Sequence, residues 1–181
     1  MTGFIPEITT TVKVQIHHED IDNAIDVMQS NEIASSCFDE LINILKTKQQ
    51  ELKDLQDPLA EGVAENLQSH QEQIIGMKHH HTGMMMNSVD ISQDGDGVYL
   101  VGNTATSVDG FPYPLAIETG RREVYPINAK CLRWWNNSGE IVFSKYSSAV
   151  APDPFVQYSV DMTEENIEEI VDEYLNNVLG D

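Results

Sequence analysis

Histidine is the residue type in this chain best suited to holding a metal, with pairs and runs at His17-His18 and His79-His80-His81. Imidazoles are good zinc ligands, but sequence neighbours cannot all point at one ion without distortion. No Cys or carboxylate stands beside them at a ligand spacing, so they read as solvated linker histidines. A second candidate is Asp90-Ile-Ser-Gln-Asp-Gly-Asp-Gly97. Set as a calcium loop with Asp90 first, it puts Ser92, Asp94 and Gly95 in register but leaves Val101 where a bidentate Glu belongs. The helices that should flank such a loop are missing as well, so the stretch reads as a hairpin turn. Asp109, Glu118 and Glu123 lie near one another, and paired carboxylates can run glycoside hydrolysis. Nothing beside them fixes a nucleophile or shifts a pKa. Gly-x-Ser-x-Gly, a phosphate loop and a dinucleotide fingerprint are all missing from the sequence. The expectation is no catalytic site, no bound metal and no cofactor.

Other residues are better suited to contact than to reaction. In a strand, adjacent side chains face opposite sides, so only one of Trp134 and Trp135 can fill a one-sided core. The other is covered by a helix or faces a partner. Arg121, Arg122 and Arg133 are all the arginine in the chain. Exposed Trp and Arg are typical interface anchors, and in so acidic a protein these arginines suit the acidic face of a neighbouring subunit. Pairing with the C-terminal helix of the same chain is the alternative.

Composition narrows the function classes. Thirty Asp and Glu oppose ten Lys and Arg, for a net charge of -20. Such a surface repels phosphate and disfavours tight wrapping of nucleic acid, although an acidic channel wall lets DNA slide past without sticking. The N-terminus has neither the basic start nor the apolar run of a signal peptide. No apolar stretch approaches the ~18 residues of a membrane helix. Cys37 and Cys131 are far apart and read as reduced structural thiols.

The elements that must position these residues follow from hydrophobic spacing. The 181 residues read as a single domain in four parts: an N-terminal strand or arm at 1–19, a helical region at 20–83, a sheet with loops at 84–154, and a C-terminal helix at 155–181. Val12, Val14 and Ile16 alternate in a strand at 10–16. Asp20 is placed to cap a helix carrying Ile21, Ile25 and Met28. A stripe through Ile33, Cys37, Leu41, Ile44, Leu45, Leu52 and Leu55 continues through Leu59, Val63, Leu67 and Ile74. Asp57-Pro58 suits a helix start, which predicts two helices in series or one kinked helix. Strands are expected at 84–91, 98–102, 124–127, 131–135 and 140–144, with a constrained loop at 113–120. The closing helix should turn Val156, Val160, Ile167, Ile170, Val171, Leu175 and Val178 inward and an acidic face outward. The fold class is α+β, a small and mostly antiparallel sheet packed by a long N-terminal helical region and a C-terminal helix.

Three short signatures occur in order: Thr82-Gly-Met-Met-Met-Asn-Ser88, Tyr113-Pro-Leu-Ala-Ile-Glu-Thr-Gly120 and Pro152-Asp-Pro-Phe155. With these the chain, over about residues 30–178, resembles the tail-completion or head–tail joining family of tailed bacteriophages (neck and minor tail proteins). In that family a long helix ends in a Thr-Gly-x-Leu-x-x-Ser step, followed by a Tyr-Ala-x-x-Val-Glu-x-Gly-Thr element and a Pro-x-x-Pro-Phe element opening the last helix. Met85 stands in the Leu place and Ile117 in the Val place, while Pro114, the altered Thr-Gly order at 119–120, the single residue between Pro152 and Pro154, and the acidic C-terminal helix depart from the pattern. The resemblance implies a structural virion protein at the neck or the top of the tail, made in the host cytoplasm. Its partners would be copies of itself in a ring of six or twelve, neighbouring neck and tail-tube proteins, and genomic DNA passing without specific binding. No membrane is implied. The subunit contacts expected on this basis are Tyr113, Glu118, Arg121, Arg122, Arg133, Trp135, Tyr146 and Phe155. Two rival classes stand beside it: an acidic binding module or DNA-mimic inhibitor, resting on the charge, and a metal-dependent hydrolase, resting on the histidines.

Overall fold

The computed structural model describes residues 8–30, 35–79, 83–107, 110–135 and 138–179, without the side chains of 35–38, 135 and 177–179. In order the chain forms β1 (Ile8–Lys13), α1 (Glu19–Gln29), α2 (Ser35–Lys78), one 3-10 turn (Met86–Ser88), β2 (Val89–Gly95), β3 (Val98–Asn103), α3 (Tyr113–Glu118), β4 (Leu132–Trp135), β5 (Ile141–Ser144) and α4 (Phe155–Leu179). The class is α+β. One sheet has the order β1-β3-β2, and β4 with β5 makes a separate two-stranded ribbon. In the ribbon Leu132 lies opposite Ser144 and Trp135 opposite Ile141, antiparallel. The chain divides into two units: the described residues of Met1–Thr10, Asn66–Ile91 and Val101–Glu164, and those of Thr11–Glu65, Ser92–Leu100 and Glu165–Asp181.

The second unit is built on the N-terminal part of α2. Leu55, Leu59, Ala60, Val63 and Ala64 are buried there, together with Ile42 and with Ile25 of α1. The i, i+4 spacing puts these residues on one stripe. Leu41 and Ile44, expected inside, are exposed, whereas Ile42 is buried. Neighbouring helical positions lie about 100° apart, so a stripe misplaced by one residue misses the core. Helix α1 begins at Glu19, with His18 at its cap and no side-chain capping bond. Asp20 therefore lies inside the first turn beside Glu19 and Asp22, where negative charge favours the helix N-terminus.

Pro58 does not start a helix; it lies inside α2. A proline there removes one backbone bond, which costs about 3 kcal/mol in a helix interior. Pro58 and Asp54, four residues back, are exposed, so water can serve the released carbonyl. Asp57 is not a cap either. Its Oδ1 accepts from Gly97 N–H at 2.9 Å and from Gln93 Nε2 at 2.9 Å, and its Oδ2 from the Tyr99 hydroxyl at 3.3 Å. Burial, then the nearby carboxylates of Asp57 and Glu61, push the Tyr99 hydroxyl above its ordinary value. Gly97 supplies the positive φ of 66° that the β2–β3 turn requires. Replacing Asp57 by Ala should lower stability by about 2 kcal/mol in denaturant titration, the expected penalty for leaving buried donors unmet, and should speed amide exchange first in residues 93–99.

Gly62 is the point on α2 where Tyr174 of α4 enters. A Cβ at this position would stand 2.5 Å from the Tyr174 hydroxyl oxygen. Gly62→Ala normally adds about 1 kcal/mol of helix propensity, but here it must displace that ring. The substitution is expected to lower the melting temperature in the native chain and to raise it in a Tyr174→Leu background. Thermal melts of the four combinations read that reversal of sign.

In the first unit, Leu67, Gln71, Ile74 and Ile75 of α2 are buried, as are Phe155, Ser159 and Thr163 of α4. Ile167, expected inward, is exposed and falls in the second unit. Met85, Val89, Val101, Asn103 and Ala105 complete this core. The buried Asn103 side chain donates to Met85 O at 2.8 Å and accepts from Ala105 N–H at 3.1 Å. These bonds fix the segment before β2 as a turn, so the strand expected at 84–91 begins only at Val89. The strand expected at 124–127 reduces to a single bridge between Val124 and Ser147.

Candidate functional site

The expected loop at 113–120 is the short helix α3. Pro114 falls in its first turn, where no backbone donor is needed. Thr119 closes α3, and Gly120 follows with φ of 71°. Gly120 is also wedged against another segment: a Cβ there would stand 2.8 Å from both Pro152 N and Val150 O. Around this contact the two segments interlock. Asp153 N–H donates to Ile117 O at 2.9 Å, and Arg121 and Val150 exchange backbone bonds of 3.0 and 2.9 Å. Glu118 Oε2 accepts Val156 N–H at 3.0 Å. It thereby satisfies an orphan donor of the first turn of α4 and places negative charge at its positive end.

Three distant stretches thus meet. A cleft of about 650 Å³ is lined by His79, Gly83 and Met85, by Tyr113 and Ile117, and by Val150–Asp153. Burial pushes the Tyr113 hydroxyl above its ordinary value. At the C-terminal end of α2, Lys78 Nζ lies 3.0 Å from Asp153 Oδ1 and 4.5 Å from the centre of the Tyr158 ring. His79 Nε2 lies 3.3 Å from Asp153 Oδ2. That distance suits an ion pair when the ring is protonated, but the direction is wrong for a hydrogen bond. His79 is therefore part of a cleft wall and not of a solvated linker; His80, His81 and Thr82 lie outside the described residues. Among the described residues no group of three His, Cys, Asp or Glu could hold a metal ion. Glu118 serves α4, and Glu123 accepts the Tyr125 hydroxyl at 2.7 Å; Asp109 is outside the described residues. The cleft, lined mainly by apolar groups, is suited to packing and binding.

The second notable surface is the ribbon. Strand alternation sets Arg133 opposite Phe143, on the face that also carries Ile141. Phe143 is 62% exposed, and Ile141 and Trp134 are exposed as well. Before β4, Ile127 is 94% exposed and Tyr125 is 58% exposed. Tyr125 stacks on Tyr146 with ring centres 6.1 Å apart.

The residues expected at contacts separate accordingly. Arg122, Arg133 and Tyr146 are exposed. Arg121 is half-buried, and its Nη2 donates to Ser147 Oγ at 2.7 Å, so it braces the junction. Tyr113 and Glu118 also belong to the junction, and the Trp135 side chain lies outside the described set. Phe155 is corrected outright: it is 0% exposed and fills the core under α4, so it cannot anchor a partner. The ion pairs among the described residues involve lysines and histidines and none of the arginines, which leaves the alternative of pairing with α4 without support. Sequence reasoning missed Asp153 and Lys78, although a cation in the last turn of a helix is a readable signal. No protein-family model matches this chain, and no curated protein and no solved structure does.

Gly120 is the test of the junction. Gly120→Ala must adopt a left-handed backbone, about 1–2 kcal/mol on its own, and must push Pro152 away. A total loss above about 2 kcal/mol is expected in chemical denaturation, whereas Gly110→Ala, with open space at its Cβ, should lose only the backbone part.

Proposed function

We propose that the chain is an architectural virion protein that assembles as a ring at the head–tail neck or the top of the tail of a phage, joining capsid to tail around the DNA channel. The observation that carries this reading is the β4–β5 ribbon, with Phe143 and Ile141 exposed on one face and Trp134 exposed on the other. A two-stranded ribbon is only marginally stable alone in water, and neighbouring exposed apolar groups such as Phe143 and Ile141 mark protein contact surfaces. The ordered signatures support the same reading, because the second and third interlock with each other and Gly83 and Met85 of the first line the cleft beside them. The charge of -20 suits a wall past which DNA slides. Negative-stain imaging of the purified chain, alone and with tail tubes, should show rings or capped tube ends. A chain that stays monomeric and never associates with particles overturns the reading.

The acidic face of α4 favours a second reading, a module that mimics nucleic acid. Capture of a basic DNA-handling protein, lost steeply as salt rises, with no ring formed, would decide for it.

A further inference from the structure

The charge of this chain is unevenly placed. Residues 120–150 hold Arg121, Arg122, Lys130, Arg133 and Lys145 against Glu123 and Glu140, a local charge of +3 in a chain of -20. Of these cations, Arg122, Lys130, Arg133 and Lys145 are exposed. Arg133 lies on the ribbon face on which Phe143 and Ile141 are open to water, and Lys145 directly follows β5. The opposite pattern occurs on α4, which has seven Asp and Glu and no Lys, Arg or His. Glu164, Glu168 and Asp172 are exposed there, and their steps of four put them on one helix face over about 12 Å. Like charges four apart repel along a helix, and no ion pair among the described residues relieves them. Ile167 is exposed at the border of that face.

We propose that the exposed face of the β4–β5 ribbon binds the acidic face of α4 from a second copy of this chain. Apolar residues beside Arg133 and Lys145 then meet an apolar residue flanked by acids. The contact removes Phe143, Ile141 and Ile167 from water and gives the acidic ladder the counter-charges it lacks. Its two sides are different surfaces, so the contact is heterologous: each copy offers a ribbon to one neighbour and an α4 face to the other, and repetition closes a ring or extends a filament. This rests on the reading of the chain as a self-assembling architectural protein and adds to it which surfaces join.

The test uses the intact chain in three states: native, Arg122→Glu with Arg133→Glu, and Glu164→Lys with Glu168→Lys. In sedimentation velocity each double variant alone should associate at least tenfold more weakly than the native chain, and an equimolar mixture of the two should recover association. Circular dichroism checks folding; if the Arg133 strand variant fails to fold, Lys145→Glu, outside β5, takes its place. Glu40→Lys, an exposed reversal on α2, should leave association unchanged. Zero-length carbodiimide cross-linking of mixed heavy- and light-isotope native chains should join Lys130 or Lys145 of one copy to the α4 carboxylates of another. Association that survives both reversals, a mixture that recovers nothing, or cross-links between other surfaces would overturn the pairing while rings or particle binding leave the architectural reading standing. A native chain that neither self-associates nor enters particles overturns both.

Discussion

The end of α2, the end of α3 and the start of α4 all depend on how closely the chain segment at 117–121 approaches that at 150–156. The approach is set by the missing side chain of Gly120, which lets backbone meet backbone at Pro152. Once the two are in contact, the remaining bonds follow with little freedom left to lose: Ile117 to Asp153, Glu118 to Val156, Arg121 to Val150. The start of α4 is thus held by a carboxylate from α3, and the buried Phe155 is delivered to its place in the core. Asp153, fixed by the same contact, holds Lys78 and lies against His79 at the end of α2. One steric allowance therefore positions a strand bridge, a helix start and a helix end.

Much of this was legible in the sequence, and its limits have physical causes. Long amphipathic stretches reveal themselves because many residues vote for one period, so α2 and α4 were readable. Register within α2 was harder: Leu41, Ile42 and Ile44 are equally apolar, and only tertiary packing decides that Ile42 goes inside. Asp57-Pro58 carried a true local preference for a helix start, which was overridden by the carboxylate's three partners around the hairpin. The segment from Tyr113 reads as a loop because Pro112 and Pro114 flank that tyrosine, yet a proline in the first turn is compatible with a helix. The junction itself was invisible as a contact. Its parts are separated by about thirty residues, and nothing in a single sequence pairs Gly120 with Pro152 or Glu118 with Val156.

The candidate residues were chosen for their chemistry, and the fold divides them by burial. Phe155 and Arg121 have the residue types of interface anchors, but one fills a core and the other braces a turn. Arg122, Arg133 and Tyr146 keep their ends in water. What distinguishes the ribbon region is the reversal of charge on an apolar ground, cationic where the rest of the chain is anionic. Long-range repulsion between such chains falls with ionic strength over roughly the Debye length, about 8 Å at physiological salt. Short-range apolar contact is not weakened in that way, so the balance between dispersal and contact depends on the medium.

The Asp57 carboxylate has a consequence beyond holding a hairpin. Its partners are three residues in different parts of that hairpin: Gln93 in β2, Gly97 in the turn and Tyr99 in β3. A strand can slip by two residues and keep its faces in the same orientation, an error that hydrophobic patterning alone does not detect. Here such a slip would shift Gln93 relative to Tyr99, so the three donors would no longer meet at one acceptor. Asp57 thus acts as a ruler, admitting a single alignment of β2 with β3 among those that the pattern of inward and outward side chains leaves equivalent.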